Sequence, residues 1–580
     1  MIKLLPYLKK YRLHSIFAPL FKMLEAMMDL LVPLVVAAVI DRGIAENNRS
    51  FIISRFILLT ALAVLGLLFS VAAQWMAARA SVGFASELRQ ALFDHIQKLS
   101  YTELDTLGTD TLITRMTSDI NQVQNGVNMG LRLLLRSPFI VFGSMIMAFT
   151  IDVKCALVFA VAIPLLGVVV YGIMIISIPL FKKTQAALDR LLGITRENLT
   201  GVRVIRAFCK ENDEIALFDS QNAALTKLNE FVGRLSALMN PLTYVMINIA
   251  TVVLIRQGAL RVNMGAIRQG DVVALYNYMA QMIVELIKLA SLIITINKGL
   301  ACAGRVSAVL EVTPGMTFPE AEKRGQTPEV PAVCFRNVSF GYALSGADAV
   351  TDISFEAQKG QTVGIIGGTG SGKSTIVNLI PRFYDATEGD VFVDGLNVKD
   401  YPEGELIKKI GIVPQKAVLF EGSIRDNLKW GNKDASDEEL WQAIDTAQAH
   451  EVVEGKTGGL DASVEQGGRN FSVGQKQRLT IARALAGKPE ILIMDDSSSA
   501  LDLATDRRLR EAVKNMSHQN MVVFIVSQRA STIREADIIL VLDDGHLAGK
   551  GTHEELMAEC ETYQEIYYSQ FPEEKKDKSA

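Results

Sequence analysis

A chain of 580 residues exceeds a single domain, and 49% hydrophobic content with a net charge of −4 leaves no basic footprint for nucleic acid. The five cysteines, Cys155, Cys209, Cys302, Cys334 and Cys560, lie far apart, with no CxxC pair and no histidine cluster. That argues against a disulfide framework or a zinc site and suits a reducing cytosol.

The opening "MIKLLPYLKKYRLHSIFAPLF" is basic and then apolar, without an evident small-residue cleavage site, and further apolar spans follow. Residues 1–13 are expected to form an amphipathic helix on the membrane surface, with Leu4, Leu5 and Leu8 towards lipid and Lys9 and Lys10 towards phosphates. A helix crosses the hydrocarbon core with about 20 mainly apolar residues. Stretches of this kind fall near 15–40, 52–79, 131–150, 155–178, 236–260 and 272–298. They carry Glu25, Asp29, Arg256, Glu285 and Lys288, and such residues normally face a bundle interior or a watery cavity.

Spans 1–2, 3–4 and 5–6 are joined by the short loops "DRGIAENNRS", "IDVK" and "RVNMGAIRQG". Spans 2–3 and 4–5 are instead separated by long helical patterns with few Gly or Pro. Helices of ~25 residues at 1.5 Å each reach ~40 Å, so two helical hairpins are expected to project beyond the bilayer. Their dense Lys and Arg place that side, both termini and the soluble region in the cytoplasm of a multi-pass protein of the cell membrane. The hairpin tips fall near 101–108 and 206–214, where a cytoplasmic domain would grip. The expected organisation is a transmembrane domain over 14–310, a Pro-, Gly- and charge-rich linker over 311–331, a soluble domain over 332–570 and a charged flexible tail over 571–580.

The soluble part opens its chemistry with "TVGIIGGTGSGKSTIVNLI" (362–380): an apolar strand, a glycine-rich turn and a helix start. Gly367, Gly372, Lys373 and Ser374 satisfy GxxxxGK[ST], and Gly368, Thr369, Gly370, Ser371 and Thr375 complete the turn. Backbone N–H groups of such a turn close around phosphate, helped by the positive end of the following helix. Lys373 is expected at the β- and γ-phosphates of ATP, and the Ser374 hydroxyl on Mg²⁺. Asp495, ending the apolar run "ILIMD", supplies a second Mg²⁺ ligand. Tyr342 in "VSFGY" is an aromatic for stacking on adenine, and Gln415 in "GIVPQ" is a further contact to metal and water. "FSVGQKQR" (471–478) precedes the Asp495 strand, and Ser499, Ala500, Leu501 and Asp502 follow it.

This order of motifs resembles the ATP-binding cassette (ABC) superfamily, and six spans ahead of one cassette resemble a half-size ABC exporter. The segment "ENLTGVRVIRAF" (197–208) is similar to the exporter stretch leading to a coupling helix. The resemblance implies an all-α six-helix transmembrane domain followed by an α/β P-loop NTPase domain. It also implies two cassettes meeting head to tail, each ATP lying between one chain's P-loop and the other's signature motif. Ser472, Val473, Gly474 and Gln475 would then act in trans, and Ser499–Asp502 would form the D-loop between them.

Two departures from the family pattern converge on the γ-phosphate. The residue after the metal-holding Asp is expected to be Glu, which orients or deprotonates water; here it is Asp496, one methylene shorter. The position of Gln528, after "MVVFIV", is expected to be His, and Gln cannot carry the imidazolium charge. The expectation is therefore a heterodimeric exporter in which this chain supplies a degenerate, ATP-holding site and a non-identical partner supplies the active one. The alternatives are a slow homodimer and an ATP-gated regulatory or channel-like subunit. A peptide exporter would need a protease domain, and an importer usually keeps spans and cassette on separate chains. Val473 stands where the family's signature has its central Gly, and its Cβ is expected to restrict backbone geometry that Gly permits freely.

Cargo is less legible. Glu25 and Asp29 share a helix face at i, i+4 and, with Glu285, form a candidate substrate cavity for cationic, amphipathic molecules; the alternative is structural pairing with neighbouring helices. Glu285 and Lys288 at i, i+3 are placed to satisfy each other. Met23, Met27, Met28, Met246, Met279 and Met282 suit either an adaptable pocket or core filling.

Overall fold

The computed structural model describes residues 2–320, 330–343, 345–497, 499, 501–517 and 520–574. Two compact units divide the chain: residues 1–95 with 110–312, and residues 96–109 with 313–580.

The first unit is wholly helical. A tight three-residue-per-turn segment (Ile2–Tyr11) leads into α1 (Arg12–Ala38) and α2 (Arg49–Ile96). After α3 (Tyr101–Leu107), which belongs to the second unit, come α4 (Thr109–Thr114), α5 (Ile120–Leu133), α6 (Arg136–Ile151) and α7 (Val153–Thr200). The unit closes with α8 (Val202–Ala207), α9 (Glu211–Ala237), α10 (Met239–Asn263) and α11 (Gln269–Leu310). Read as continuous rods, these make, among the described residues, six helices long and apolar enough to cross a membrane, from Lys3–Ile44 to Gln269–Leu310. They carry large exposed apolar side chains such as Phe56, Leu67 and Val168, which cover by lipid or by a partner chain makes favourable. The interior core is built from Leu30, Phe159, Leu254, Leu275, Tyr278, Met279 and Met282, so two of the methionines fill space there. α5 and α11 cross closely where Gly126 meets Gly299; a Cβ on Gly126 would sit 3.3 Å from the Gly299 Cα.

Prolines shape this bundle. Pro33 has no N–H for the Asp29 carbonyl, four residues back in α1. The Gln281 amide of α11 donates to that carbonyl at 3.4 Å, and the Tyr278 hydroxyl donates to the next one, Leu30, at 2.6 Å. Pro138 acts likewise at the α5–α6 break: its ring opposes the Leu134 carbonyl, and the helix restarts at Arg136. The third span, expected from 131, therefore belongs to a longer rod, Thr109–Ile151, broken at residues 134–135.

The N-terminal segment corrects one expectation. Leu4 is 1% exposed and packs into protein instead of facing lipid. Lys10 pairs with Glu87 of α2 at 2.6 Å rather than standing free for phosphates, and Lys3 pairs with Glu311 at 2.8 Å.

The second unit has an α/β core. Its main sheet runs in the order β12 (His546–Gly551), β11 (Ile538–Asp543), β3 (Thr362–Gly367), β10 (Val522–Val526), β9 (Ile491–Asp495) and β6 (Ile410–Val413). All neighbours are parallel except β11–β12. The central strands are continuous apolar runs, as strands buried on both faces require. A second, antiparallel sheet has the order β2 (Val350–Ala357), β1 (Val333–Phe340), β4 (Glu388–Val393), β5 (Leu396–Asn397); β7 (Gly422–Ser423) and β8 (Ser463–Val464) form a small ribbon. Helices α12 (Lys373–Leu379), α13 (Glu405–Lys408), α14 (Ile424–Leu428), α15 (Asp437–Thr446), α16 (His450–Glu454), α17 (Val473–Ala486), α18 (Leu503–Ser517), α19 (Ala530–Ile533), α20 (His553–Glu559) and α21 (Glu561–Gln570) complete it.

The short helix α3 packs within this unit. Ser100 and Glu103 cap it, the Ser100 N–H donating to the Glu103 carboxylate at 2.8 Å. Tyr101 lies 4.6 Å from Phe383, centroid to centroid, and the Tyr384 hydroxyl donates to Asp105 at 2.7 Å.

Candidate functional site

The main sheet delivers the site. Parallel register sets Asp495 abreast of Val526, and Val526 abreast of Ile365. The turns leaving β3, β6, β9 and β10 therefore open side by side at the carboxyl edge of the sheet, where α/β folds bind ligands.

The turn after β3 is shaped by Gly370 and Gly372, at φ 85° and 92°, a region costly for any side chain bearing a Cβ. At Gly372 a Cβ would also come within 2.4 Å of Val350. The turn closes on its own lysine: Lys373 Nζ donates to the Gly367 carbonyl at 3.0 Å, to the Gly368 carbonyl and to Ser371 Oγ at 3.4 Å. Burial pushes the Lys373 ammonium down from its ordinary range, while Asp496 and Asp495 hold it up. It therefore stands as a cation between the glycine turn and two carboxylates.

Ser374 Oγ donates to Asp495 Oδ1 at 3.0 Å. Burial, and secondarily the neighbouring charge of Asp496, raises the Asp495 carboxyl above the usual carboxylate range. Burial likewise raises Asp496, opposed by a hydrogen bond from Gln415 and by Arg529 and Lys373. A hydroxyl beside a buried carboxylate, with a second carboxylate adjacent, is a donor set of hard oxygens that fits Mg²⁺ held together with phosphate.

Asp496 stands in the left-handed region, φ 45°, immediately after the strand, with its N–H on the Val526 carbonyl at 3.0 Å. Asp tolerates this conformation better than longer side chains do. Across the cleft, the loop after β10 is tied to the sheet by Ser527 N–H on the Ile365 carbonyl at 3.1 Å, and Gln528 follows it. Tyr342, Thr369, Gly370, Gly372, Lys373, Ser374, Thr375, Gln415, Asp495, Asp496 and Gln528 line one cleft of about 320 Å³. Gly367, Gly368 and Ser371 do not line it but accept from Lys373. The Tyr342 hydroxyl and Thr375 Oγ1 are 3.2 Å apart, and the ring stands edge-on to Tyr384 at 5.3 Å.

Ser472, Val473, Gly474 and Gln475 do not line this cleft. They open α17 as a capping box: Gln475 N–H donates to Ser472 Oγ at 3.3 Å, and Ser472 N–H donates to Gln475 Oε1 at 3.0 Å. Val473 occupies the first helical position, so the signature needs no glycine-only backbone here, and the expected restriction does not arise. What Val473 changes is the surface: its side chain is 68% exposed on the helix N-terminus. Beyond Asp496, Ser499 Oγ donates to the Asp496 carbonyl at 2.9 Å, Leu501 is buried, and Asp502 accepts from Thr505 N–H at 2.9 Å. Ala500 lies outside the described residues.

In the helical unit, Glu25, Asp29 and Glu285 converge on a residue that sequence reasoning missed, Arg136. It bonds Glu285 at 2.6 Å and Asp29 at 3.0 Å and lies 3.8 Å from Glu25. Ser137 and Lys288 complete Glu285 at 2.8 and 2.9 Å, and Lys22 holds Glu25 at 2.5 Å. Three carboxylates thus face three cations, so the expected attraction for cationic cargo loses its free negative charge. The signal available in sequence was an arginine directly before Ser137 and Pro138 inside an apolar run.

A P-loop, its acidic strand end and a capped signature helix, fused to six membrane-length helices, define an ATP-driven membrane transporter. Residues 15–286 match the ABC transporter transmembrane region family and residues 350–499 the ABC transporter family. The chain is 35% identical to the uncharacterized ABC transporter ATP-binding protein YfiB of Bacillus subtilis over 99% of both chains. It is 31% identical to the putative multidrug export ATP-binding/permease protein YgaD of the same organism over 98% of both. The structure of a bacterial Atm1-family ABC exporter with ATP bound superposes with a TM-score of 0.79 at 24% identity, covering 96% of this chain and 98% of that one. This protein belongs to the ABC transporter family. It is a multi-pass membrane protein that binds ATP and couples ATPase chemistry to transport, working as a dimer within the bilayer.

Proposed function

We propose that the chain is one half of an ATP-driven exporter of amphipathic small molecules, lipids or peptides, with a non-identical half-transporter as partner. The observation that carries this reading is the imbalance within one cleft. Everything needed to hold a nucleotide is in place: Lys373, the Ser374–Asp495 pair for Mg²⁺, and Tyr342 for the adenine. The two positions facing a γ-phosphate are a short carboxylate engaged by Gln415 and an uncharged amide, Gln528.

In this account Mg²⁺, when bound, spreads the charge of the β- and γ-phosphates. Lys373 balances the remaining charge, and Ser374 and Asp495 orient the phosphate end. Asp496 is one methylene shorter than the Glu expected there, which draws its carboxylate back from water in line with the γ-phosphate; a misplacement of about 1 Å costs on the order of 10²-fold. Bound ATP therefore stays intact and keeps the cassettes together, while Ser472–Gln475 complete the partner's site. The buried carboxylates of the membrane unit are compensated by Arg136, Lys22 and Lys288, which favours amphipathic over strongly cationic cargo. The cassette and both termini face the cytoplasm, and α3 hands the motion to the helices through Tyr101 and Asp105 on Phe383 and Tyr384.

Nucleotide retention tests this. The lipid-held protein is loaded with Mg²⁺-ATP, washed free of excess nucleotide, and the label cross-linked to this chain's P-loop is identified. The account expects ATP. Recovery of ADP at the same stoichiometry would support the homodimer with slow hydrolysis at both sites.

A further inference from the structure

We propose that Gln570 is a positioning residue for the nucleotide cleft, holding Gln528 in place from the end of α21. The inference rests on Gln528 being the γ-phosphate-facing residue of the reading above.

Gln570 Nε2 donates to the Gln528 carbonyl at 2.8 Å, and its Oε1 accepts from Ala530 N–H at 2.9 Å. One carboxamide thus grips the backbone on both sides of Arg529. Ala530 opens α19, so its N–H is one of the donors that a helix start leaves without an internal partner. On the sheet side, the Arg529 N–H is held by Ser527 Oγ at 3.0 Å. The loop is therefore fixed from the sheet at residue 527 and from α21 at residues 528 and 530. The Gln528 side chain leaves this fixed backbone into the cleft.

α21 is itself well anchored. Tyr563 and Tyr567 are fully buried, Tyr563 is 2.9 Å from His553 Nδ1, and Tyr567 lies 4.8 Å from Phe571, centroid to centroid. A rigid helix carrying a two-pronged amide is a means of setting the loop's distance from the nucleotide. Because Gln570 touches backbone and no reacting atom, its effect passes through Gln528. That effect is specific to a nucleotide with a third phosphate.

Equilibrium binding of Mg²⁺-ADP and of Mg²⁺-adenylyl imidodiphosphate to the full chain in lipid nanodiscs separates this from mere folding support. Gln570→Ala is expected to weaken the triphosphate analogue about threefold to tenfold, the worth of one or two modest hydrogen bonds, with ADP unchanged. Gln528→Ala should lose as much, and the double variant no more than Gln528→Ala alone. Gln570→Glu keeps the acceptor for Ala530 but lacks the donor for the Gln528 carbonyl. It should show the loss without a lower thermal midpoint. Equal losses for both nucleotides, additive losses in the double variant, or a silent Gln570→Ala beside an active Gln528→Ala would overturn the assignment. A silent Gln528→Ala would instead remove its premise, the γ-phosphate role of Gln528.

Discussion

Asp496→Glu combined with Gln528→His should raise ATP turnover at this chain's own site on the order of 10²-fold, reversing the misplacement of the water-orienting group and adding a cationic donor. Each change alone should give less, because an aligned water without charge support, or the reverse, leaves half of the device missing. The gain has a conformational cost. The backbone at 496 is left-handed, φ 45°, and a side chain longer than Asp pays about 1 kcal/mol or more there. A double variant that gains turnover while losing some thermal stability fits both observations. Unchanged turnover in a correctly assembled transporter would mean that these two positions do not limit hydrolysis.

Arg136→Leu should be the most damaging single change in the helical unit. Arg136 and Glu285 have side chains 12% and 5% exposed, joined at 2.6 Å, and Asp29 shares the same guanidinium. Removing one member of a buried pair leaves uncompensated charge and costs about 3–5 kcal/mol, a drop in thermal midpoint on the order of 10 °C. Pairing Arg136→Leu with Glu285→Gln should recover a large part of that loss, since the buried carboxylate is then neutral, and Lys288 and Asp29, both partly exposed, can turn to water. Thermal unfolding of both variants in lipid reads this directly. If the double variant is as unstable as the single one, packing rather than charge sets the cost.

The parts of this protein that were legible in sequence are those whose chemistry is local. The glycine turn, Lys373, Ser374 and the apolar run ending in Asp495 each specify their function within a few residues, and six long apolar stretches follow from membrane thickness. Contacts between distant positions were not legible. Arg136 reaches Asp29 and Glu285 across 107 and 149 residues, Tyr384 reaches Asp105 across 279, and Gln570 reaches Gln528 across 42. No periodicity announces such pairs, because tertiary packing selects them. Val473 shows a subtler failure. The family's glycine at this position implies a backbone that Val restricts, whereas Ser472 caps the helix and leaves Val473 in ordinary helical geometry, its bulk on the surface. An α-helical period puts Leu4 towards lipid, but residues 2–11 wind three per turn and bury it.

The most direct test of the central claim is ATP turnover of this chain purified alone in lipid, beside the same chain co-expressed with a half-transporter carrying Glu and His at the corresponding positions. The account predicts near-zero turnover alone and robust turnover together, abolished by changing the partner's Glu and preserved in Asp496→Asn. Robust turnover by this chain alone would contradict it, since Asp496 and Gln528 would then suffice for hydrolysis.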